Sequence, residues 1–115
     1  MTAANKIFLS IAKDFSVTPG PRYIIEGDYS GQDCREKILL PRLQSAVSEN
    51  KKLFIDLDGT AGYGTSFLEE TFGGLIRENG YKHDDLLSIL EFKSDEETYL
   101  IDDINNYLLD ENKNA

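Results

Sequence analysis

The stretch LFIDLDGTAGYGTSFLEETFGGL, residues 53–75, decides the fold because it holds three consecutive structural signals. Residues 53–57 form a short apolar run, which predicts a buried β-strand. Residues 58–64 are rich in glycine and predict a loop. The apolar spacing that follows predicts a helix over residues 66–79. A strand, a loop and a helix in this order are typical of an α/β domain.

The predicted helix carries its own start and stop signals. Ser66 and Glu69 have the spacing of a capping box, in which each side chain accepts a free backbone N–H. Gly80 follows at a position where helices commonly end. Gly73 and Gly74 lie in the middle of the helix, so we expect another element to pack closely there. The apolar face consists of Leu68, Phe72, Leu75 and Ile76.

The N-terminal residues predict a β-hairpin. Residues 6–15 have a strand-like apolar content, and residues 22–26 (RYIIE) form a second short apolar run. Between them, residues 17–21 contain two prolines and a glycine, which predict a turn. Two strands joined in this way favour an antiparallel hairpin. Its exposed edge would offer a route to a homodimer through strand pairing.

A helix is predicted over residues 32–49, with a start signal at Ser30 and Asp33. Pro41 lies inside this helix, and proline lacks the N–H that a helix interior needs. We therefore expect a short helical turn up to Leu40 and a new helix with Pro41 in its first turn.

The C-terminal third predicts a short helix over residues 84–90, a short strand over residues 91–93 and an amphipathic helix over residues 95–110. Residues 1–111 are therefore interpreted as one α/β domain, and residues 112–115 as a polar tail. We expect about four strands in a mixed sheet, with three to four helices packed mainly on one face.

Composition narrows the function. The chain has 115 residues and a formal net charge of -9, and residues 53–115 carry 15 acidic against 4 basic side chains. Nucleic acid and anionic membranes are poor partners for such a surface, whereas a basic protein surface is a good one. The single cysteine excludes an internal disulfide, and no apolar run reaches the length of a membrane span. We expect a cytoplasmic protein.

The loop at residues 58–66 invites two enzymatic interpretations. Residues 59–66 (GTAGYGTS) fit the frame of a phosphate-binding loop, except that Thr65 replaces the required lysine. Residues 54–60 (FIDLDGT) resemble the first motif of haloacid-dehalogenase-like phosphatases. That resemblance implies Asp56 as a nucleophile and Asp58 as a general acid and base, with a magnesium ion. The remaining motifs of that family are not found in the 55 residues after Thr60.

A third interpretation is a regulatory one. STAS domains of bacterial anti-sigma factor antagonists contain a strand ending in D-L-S-G-V and then D-S-S-G before a helix. Residues 56–60 and 64–67 lie over these two motifs, which places the regulated serine on Ser66. More specifically, GYGTSFLEETFGGL, with IDLDG and the upstream REKILLPRL, resembles a bacterial STAS-like family of unknown function. Gly64 and Phe67 depart from the STAS motif.

The resemblance implies a signalling module that binds another protein, such as an ATP-binding kinase-type regulator. Ser66 and Thr65 are the candidate phosphorylation positions, because a phosphate at a helix start is favoured by the helix dipole. Tyr63 either anchors a partner or folds down onto the sheet. We predict no catalytic residue, cofactor or metal ligand, and the alternative is a small magnesium-dependent phosphatase. The predicted interaction surface comprises Asp58, Gly59, Gly62, Tyr63, Gly64, Thr65, Ser66 and Glu69.

Overall fold

A computed structural model describes residues 5–114 and shows a three-stranded parallel sheet. The strands are β1 (Lys6–Ser10), β2 (Lys52–Asp56) and β3 (Leu90–Lys93), in the spatial order β1-β2-β3. Parallel neighbours require long crossover connections, and the helices between the strands supply them. The expected four-stranded mixed sheet is therefore corrected to three parallel strands.

The missing strand is the predicted one at residues 22–26. The chain forms a 3-10 turn, Ile24–Glu26, instead. The Glu26 side chain accepts the Tyr23 backbone N–H at 2.8 Å, while the Glu26 N–H donates to the Tyr23 carbonyl at 3.0 Å. These local bonds close the turn on itself, so the N-terminal hairpin does not form. The hairpin edge through which two copies were expected to pair is therefore absent from residues 5–114.

The first strand is also shorter than predicted. It ends at Ser10, whose hydroxyl accepts the Lys13 N–H and caps the short helix α1 (Ile11–Asp14). A serine that offers its side chain to the backbone two or three residues ahead competes with a continuing strand.

Helix α2 covers residues 31–49 and contains a π turn. Its parts are Gly31–Cys34, the π turn Arg35–Leu39, and Leu40–Glu49. Ser30 caps it by accepting the Asp33 N–H at 3.0 Å, as predicted. The expected break is replaced by the π turn, in which the Leu40 N–H reaches back to the Arg35 carbonyl. Pro41 then stands at the start of the following segment, Leu40–Glu49.

Helix α3 covers residues 65–77 and also contains a π turn. Its parts are Thr65–Leu68, the π turn Glu69–Gly73, and Gly74–Arg77. Gly64, not Ser66, is the N-cap residue, so the predicted capping box is wrong. Glu69 is not available to Ser66 because its carboxylate pairs with Arg22 and Arg77. Gly80 follows the helix with φ of +76°, in agreement with the predicted stop.

The C-terminal elements are α4 (His83–Ile89), β3 and α5 (Leu100–Asn114). The short helix and the short strand agree with the prediction to within one residue. Helix α5 begins at Leu100 instead of residue 95, since the Asp95 and Glu96 backbone N–H groups donate to the Asp58 carboxylate. It continues to Asn114, so residues 112–114 of the expected tail are helical. Ala115 lies outside the described residues.

The two faces of the sheet differ. Leu9, Leu53 and Ile55 point into the core, which helices α2 to α5 cover. On the opposite face Phe8 is 55% exposed, and its ring packs against the half-buried Phe54. Within residues 5–114 no helix has the length and apolar character needed to cross a membrane.

Candidate functional site

The predicted surface residues meet at the carboxyl end of the sheet. Strand β2 is the central strand, and the loop of residues 57–64 leaves its end to enter α3. In open α/β sheets, ligands and partners commonly bind at the carboxyl ends of the strands. The structure therefore brings residues 58–66 together at an edge where binding is common.

Asp58 acts as the anchor of this loop. Its carboxylate accepts Lys93 Nζ at 2.6 Å, the Glu96 N–H at 3.0 Å and the Asp95 N–H at 3.2 Å. The Lys93 ammonium and these two backbone donors lower the pKa of Asp58 to about 2, and the same contact raises the pKa of Lys93. Asp58 therefore ties the loop after β2 to the loop after β3.

Asp56 has a local role at the strand end. Its Oδ1 accepts the Asp58 N–H at 2.9 Å, which forms an Asx turn. A general acid works best with a pKa near the operating pH, and Asp58 with its low pKa is ionised at neutral pH. Among residues 5–114 no group of three or more His, Cys, Asp and Glu side chains is arranged to hold a metal ion. The hydrogen bonds of Asp56 and Asp58 are therefore typical of carboxylates that stabilise a loop.

Two glycines permit the shape of the loop. Gly59 has φ of +92°, and a Cβ atom there would approach Ala12 Cβ at 3.1 Å. Gly62 has φ of +133°. Residues that have a Cβ atom rarely adopt either of these backbone conformations. Gly64 has an ordinary φ of -77°.

Tyr63 folds down onto the molecule. Its hydroxyl donates to the Leu57 carbonyl at 2.8 Å, and its ring lies 5.9 Å from that of Phe67. This burial raises the pKa of the Tyr63 phenol. Of the two predicted positions, the structure therefore shows the inward one, and Tyr63 supports the loop from beneath.

Thr65 and Ser66 are both exposed, at the first two positions of α3. The residues that follow them, Phe67 and Leu68, are 1% and 2% exposed. The first helical hydrogen bond runs from the Leu68 N–H to the Gly64 carbonyl. The N–H groups of Ser66 and Phe67 therefore lie before the first hydrogen bond of the helix. Thr65 and Ser66, which a macromolecule can reach, are thus the first two residues of a helix that Phe67 and Leu68 hold against the core.

A second exposed segment lies beside this helix start. Residues 23–29 are all exposed, and Ile25 is 92% exposed. An ion pair between Arg22 and Glu69 links the turn to α3. The Tyr29 ring packs edge-to-face against Phe15, and Phe15 contacts Phe67. We call residues 58–66 and 23–29 together the loop surface.

The turn at residues 23–29 was missed by the sequence analysis, which interpreted its apolar residues as a strand. Its base is tight, because a Cβ atom at Gly20 would meet the Asp28 carbonyl at 2.2 Å. Tyr29 has φ of +56°, which is rare for an aromatic residue and common at functional positions. Pro21 and Gly27 flank only five residues, and this spacing is a turn signal that was available in the sequence.

Below the loop surface, α2 and α3 meet at a buried ion pair. Arg35 Nη1 donates to Glu70 Oε2 at 2.5 Å and to the Glu70 carbonyl at 2.8 Å, and both side chains are 3% exposed. A Cβ atom at Gly74 would lie 2.2 Å from Arg35 Nη1. The expected close packing at Gly73 and Gly74 is confirmed by this contact. We call Arg35, Glu70 and Gly74 the helix junction.

The surroundings of Cys34 and His83 place both residues outside the loop surface. Cys34 is fully buried in the core, and burial raises the pKa of its thiol to about 12. Its neighbour Arg35 pairs with Glu70, so no cation is directed at the thiol from that residue. His83 starts α4 and contacts Asp84 at 3.1 Å, away from the loop surface.

Comparison with known proteins identifies the family. Residues 30–100 match the family described as STAS-like domain of unknown function (DUF4325), and this range includes the loop at residues 58–66 and the helix junction. The chain belongs to this STAS-like family. The turn at residues 23–29 lies before the matched range. No curated protein and no solved structure matches the chain.

Proposed function

We propose that this STAS-like domain is a non-enzymatic regulatory module that binds another protein through the loop surface, with Ser66 and Thr65 as its phosphorylation switch. The observation that carries the proposal is the exposure of Thr65 and Ser66 at the start of α3, a helix that the Arg22–Glu69 ion pair links to the turn with the exposed Ile24 and Ile25. Neighbouring exposed apolar side chains, such as Ile24 and Ile25, are a mark of protein–protein interaction sites.

The charges of the surface determine how the switch works. A phosphate on Ser66 adds about two negative charges next to free N–H groups of the helix, which stabilise it. Phe67 and Leu68 remain buried, so α3 stays folded after modification. The phosphate instead changes what a docked protein meets, because bulk and negative charge replace a small hydroxyl. Phosphorylation is therefore expected to release the partner without unfolding the domain.

The same charges describe the partner. Glu26, Asp28 and Asp95 are exposed around the loop surface, whereas its cations Arg22 and Lys93 are already paired with carboxylates. A partner with a basic rim and an apolar pocket complements this pattern. The STAS-like fold suggests an ATP-binding kinase-type regulator by analogy, in a cytoplasmic signalling system.

The enzymatic alternative is a magnesium-dependent phosphatase that uses Asp56 and Asp58. Asp56 at the end of the central strand is the observation in its favour. Against it, the low pKa of Asp58 and its three donors are suited to holding a loop. Turnover of a generic phosphate ester with magnesium, lost in Asp56→Asn, would replace the regulatory proposal with the enzymatic one.

The test compares matched variants in affinity capture from the native cells. Wild type and Ser66→Ala are expected to capture the same protein, and Ser66→Glu to lose it. Ser48→Glu is the control, since Ser48 is an exposed serine on α2 outside the loop surface. Ile25→Asp is expected to lose the partner as well, whereas Val47→Asp, which changes another exposed apolar side chain, is expected to keep it. Equal capture by all five variants would contradict the proposal.

A further inference from the structure

The two edges of the sheet are not equally protected. At the β1 edge the Phe8 carbonyl accepts Arg42 Nη1 at 3.2 Å, and Arg42 also pairs with Asp14. Strand β3 forms the other edge, and within residues 5–114 no strand lies on its outer side. Unprotected edges are templates for pairing with another chain.

A groove of about 260 Å³, lined mainly by apolar residues, runs beside the β3 edge. Phe92 forms part of its floor, and Leu87 on its rim is 50% exposed. Its lining comes from α4, β3 and α5 and comprises Leu86, Leu87, Leu90, Phe92, Ile101, Asn105 and Leu108. An occupant of the edge would therefore also find apolar surface to bury.

Backbone direction fixes which residues of β3 can pair outward. The Lys93 carbonyl accepts the Leu57 N–H at 2.8 Å, so the main-chain groups of Lys93 face β2. Alternate residues of a strand point their N–H and C=O groups to opposite sides. Phe92 therefore presents its N–H and C=O outward, on the side where no strand lies.

We propose that β3 pairs in antiparallel fashion with β3 of a second copy of this chain, with Phe92 on the two-fold axis. In this register Phe92 exchanges two hydrogen bonds with Phe92 of the second copy. Glu91 then lies opposite Lys93 of the second copy, and Lys93 lies opposite Glu91. The two three-stranded sheets join into one of six strands.

This register is self-complementary in charge and in shape. Glu91 and Lys93 are the residues of β3 on the open face of the sheet, with side chains 39% and 41% exposed. Opposite charges directly across an antiparallel pair are stabilising, and like charges are destabilising. On the other face the two Phe92 rings meet at the axis, where the two apolar grooves become continuous.

The existing partners of these charges do not prevent the pairing. Glu91 binds Lys6 Nζ at 2.8 Å, and Lys93 binds Asp58 at 2.6 Å. A carboxylate has two oxygens and an ammonium group has three hydrogens, so each group can take a second partner.

Charge exchange at the two positions tests the proposal by analytical ultracentrifugation. Glu91→Lys or Lys93→Glu alone places like charges across the axis twice, and we expect the dimer dissociation constant to rise about tenfold or more. The double variant restores both intermolecular pairs, and we expect it to dimerise like wild type. The double variant also breaks both intramolecular pairs, so its recovery is not explained by the stability of the monomer. A double variant as weak as the single ones, or a monomeric wild type at its solubility limit, would overturn the proposal.

A cysteine pair tests the register itself. Directly opposite residues in such a pair have Cα atoms about 4.5 Å apart, within the range of a disulfide. We expect a mixture of Glu91→Cys and Lys93→Cys chains to form covalent dimers about ten times faster than either variant alone. Native Cys34 gives no background because it is fully buried. Cross-linking no faster than that of Glu91→Cys mixed with Val47→Cys would show that β3 does not pair in this way.

Discussion

The helix junction and the loop surface differ in almost every physical respect, although Glu70 and Ser66 are only four residues apart. At the junction a guanidinium, a carboxylate and a glycine touch with no space for another carbon atom. At the loop surface two hydroxyls and a turn of seven residues face solvent. The difference separates residues that hold the fold from residues that are free to bind.

The largest effect is expected from breaking the junction. Glu70→Ala leaves the Arg35 guanidinium buried without its carboxylate, and removal of one partner of a buried ion pair costs about 3–5 kcal/mol. Urea unfolding measures the loss. The double variant Arg35→Leu, Glu70→Leu is expected to recover most of the stability, because neither buried charge of the junction remains. Arg77, which also binds Glu70, keeps Glu69 and Glu111 as partners. Full stability of Glu70→Ala would show that the ion pair is not needed.

A smaller loss is expected from filling the junction. Gly74→Ala places a Cβ atom 2.2 Å from Arg35 Nη1, and overpacking of this kind costs about 1–3 kcal/mol. Gly64→Ser is the matched control on the loop surface, since no heavy atom lies within 4 Å of its Cβ position. We expect Gly64→Ser to be no less stable than wild type, because serine is a good N-cap residue. Equal unfolding midpoints of both variants would remove the contrast between the two regions.

The anchor of the loop surface is expected to depend on pH. Because the pKa of Asp58 is lowered to about 2, its ionised form stabilises the fold at every pH above the unfolded value of about 3.9. This stabilisation is lost as the pH falls from about 4 to about 2. Asp58→Asn should therefore be less stable than wild type at pH 7, with the difference shrinking over that window. The control is Asp110→Asn, the same substitution at an exposed residue of α5. A difference that is the same at pH 7 and pH 2.5 would contradict the assigned role.

The smallest change in stability is expected on the loop surface itself. Ile25→Asp and Ser66→Glu alter side chains that face solvent, and such changes remain within about 0.5 kcal/mol of wild type. Their effect should appear in partner capture alone. A loss of several kcal/mol in either variant would mean that the residue belongs to the folded core and not to a binding surface.

Features that depend on the covalent structure of a single residue were predictable from the sequence. Features that depend on charged residues remote in the sequence were not. Pro41 and Gly74 restrict the backbone wherever they occur, so the helix irregularity and the close packing were predictable. The capping box at Ser66 failed because Arg22 and Arg77, remote in sequence, hold Glu69. The predicted strand at residues 22–26 failed because an apolar pair in a five-residue segment has the same pattern whether it is buried or exposed.

The candidate site was predicted in position but not in internal arrangement. Residues 58–66 do lie at an accessible corner, as the strand, loop and helix pattern indicated. The three donors on Asp58 come from Lys93 and the chain at residues 95–96, which no local pattern places nearby. For Tyr63 both positions were open in the sequence, and its contacts with Leu57 and Phe67 select the inward one. The exposed turn at residues 23–29 is the part of the loop surface that the sequence analysis left out.

The buried Cys34 makes the molecule its own reporter of breathing motions. It precedes Arg35 in the same helix and is fully shielded, so a thiol reagent can modify it only when α2 lifts from the core. The labelling rate of this one sulfur atom therefore measures how often the helices separate, without any engineered cysteine. A ligand at the loop surface that lowers the labelling rate of Cys34 binds the closed domain, and a ligand that raises this rate binds the opened form.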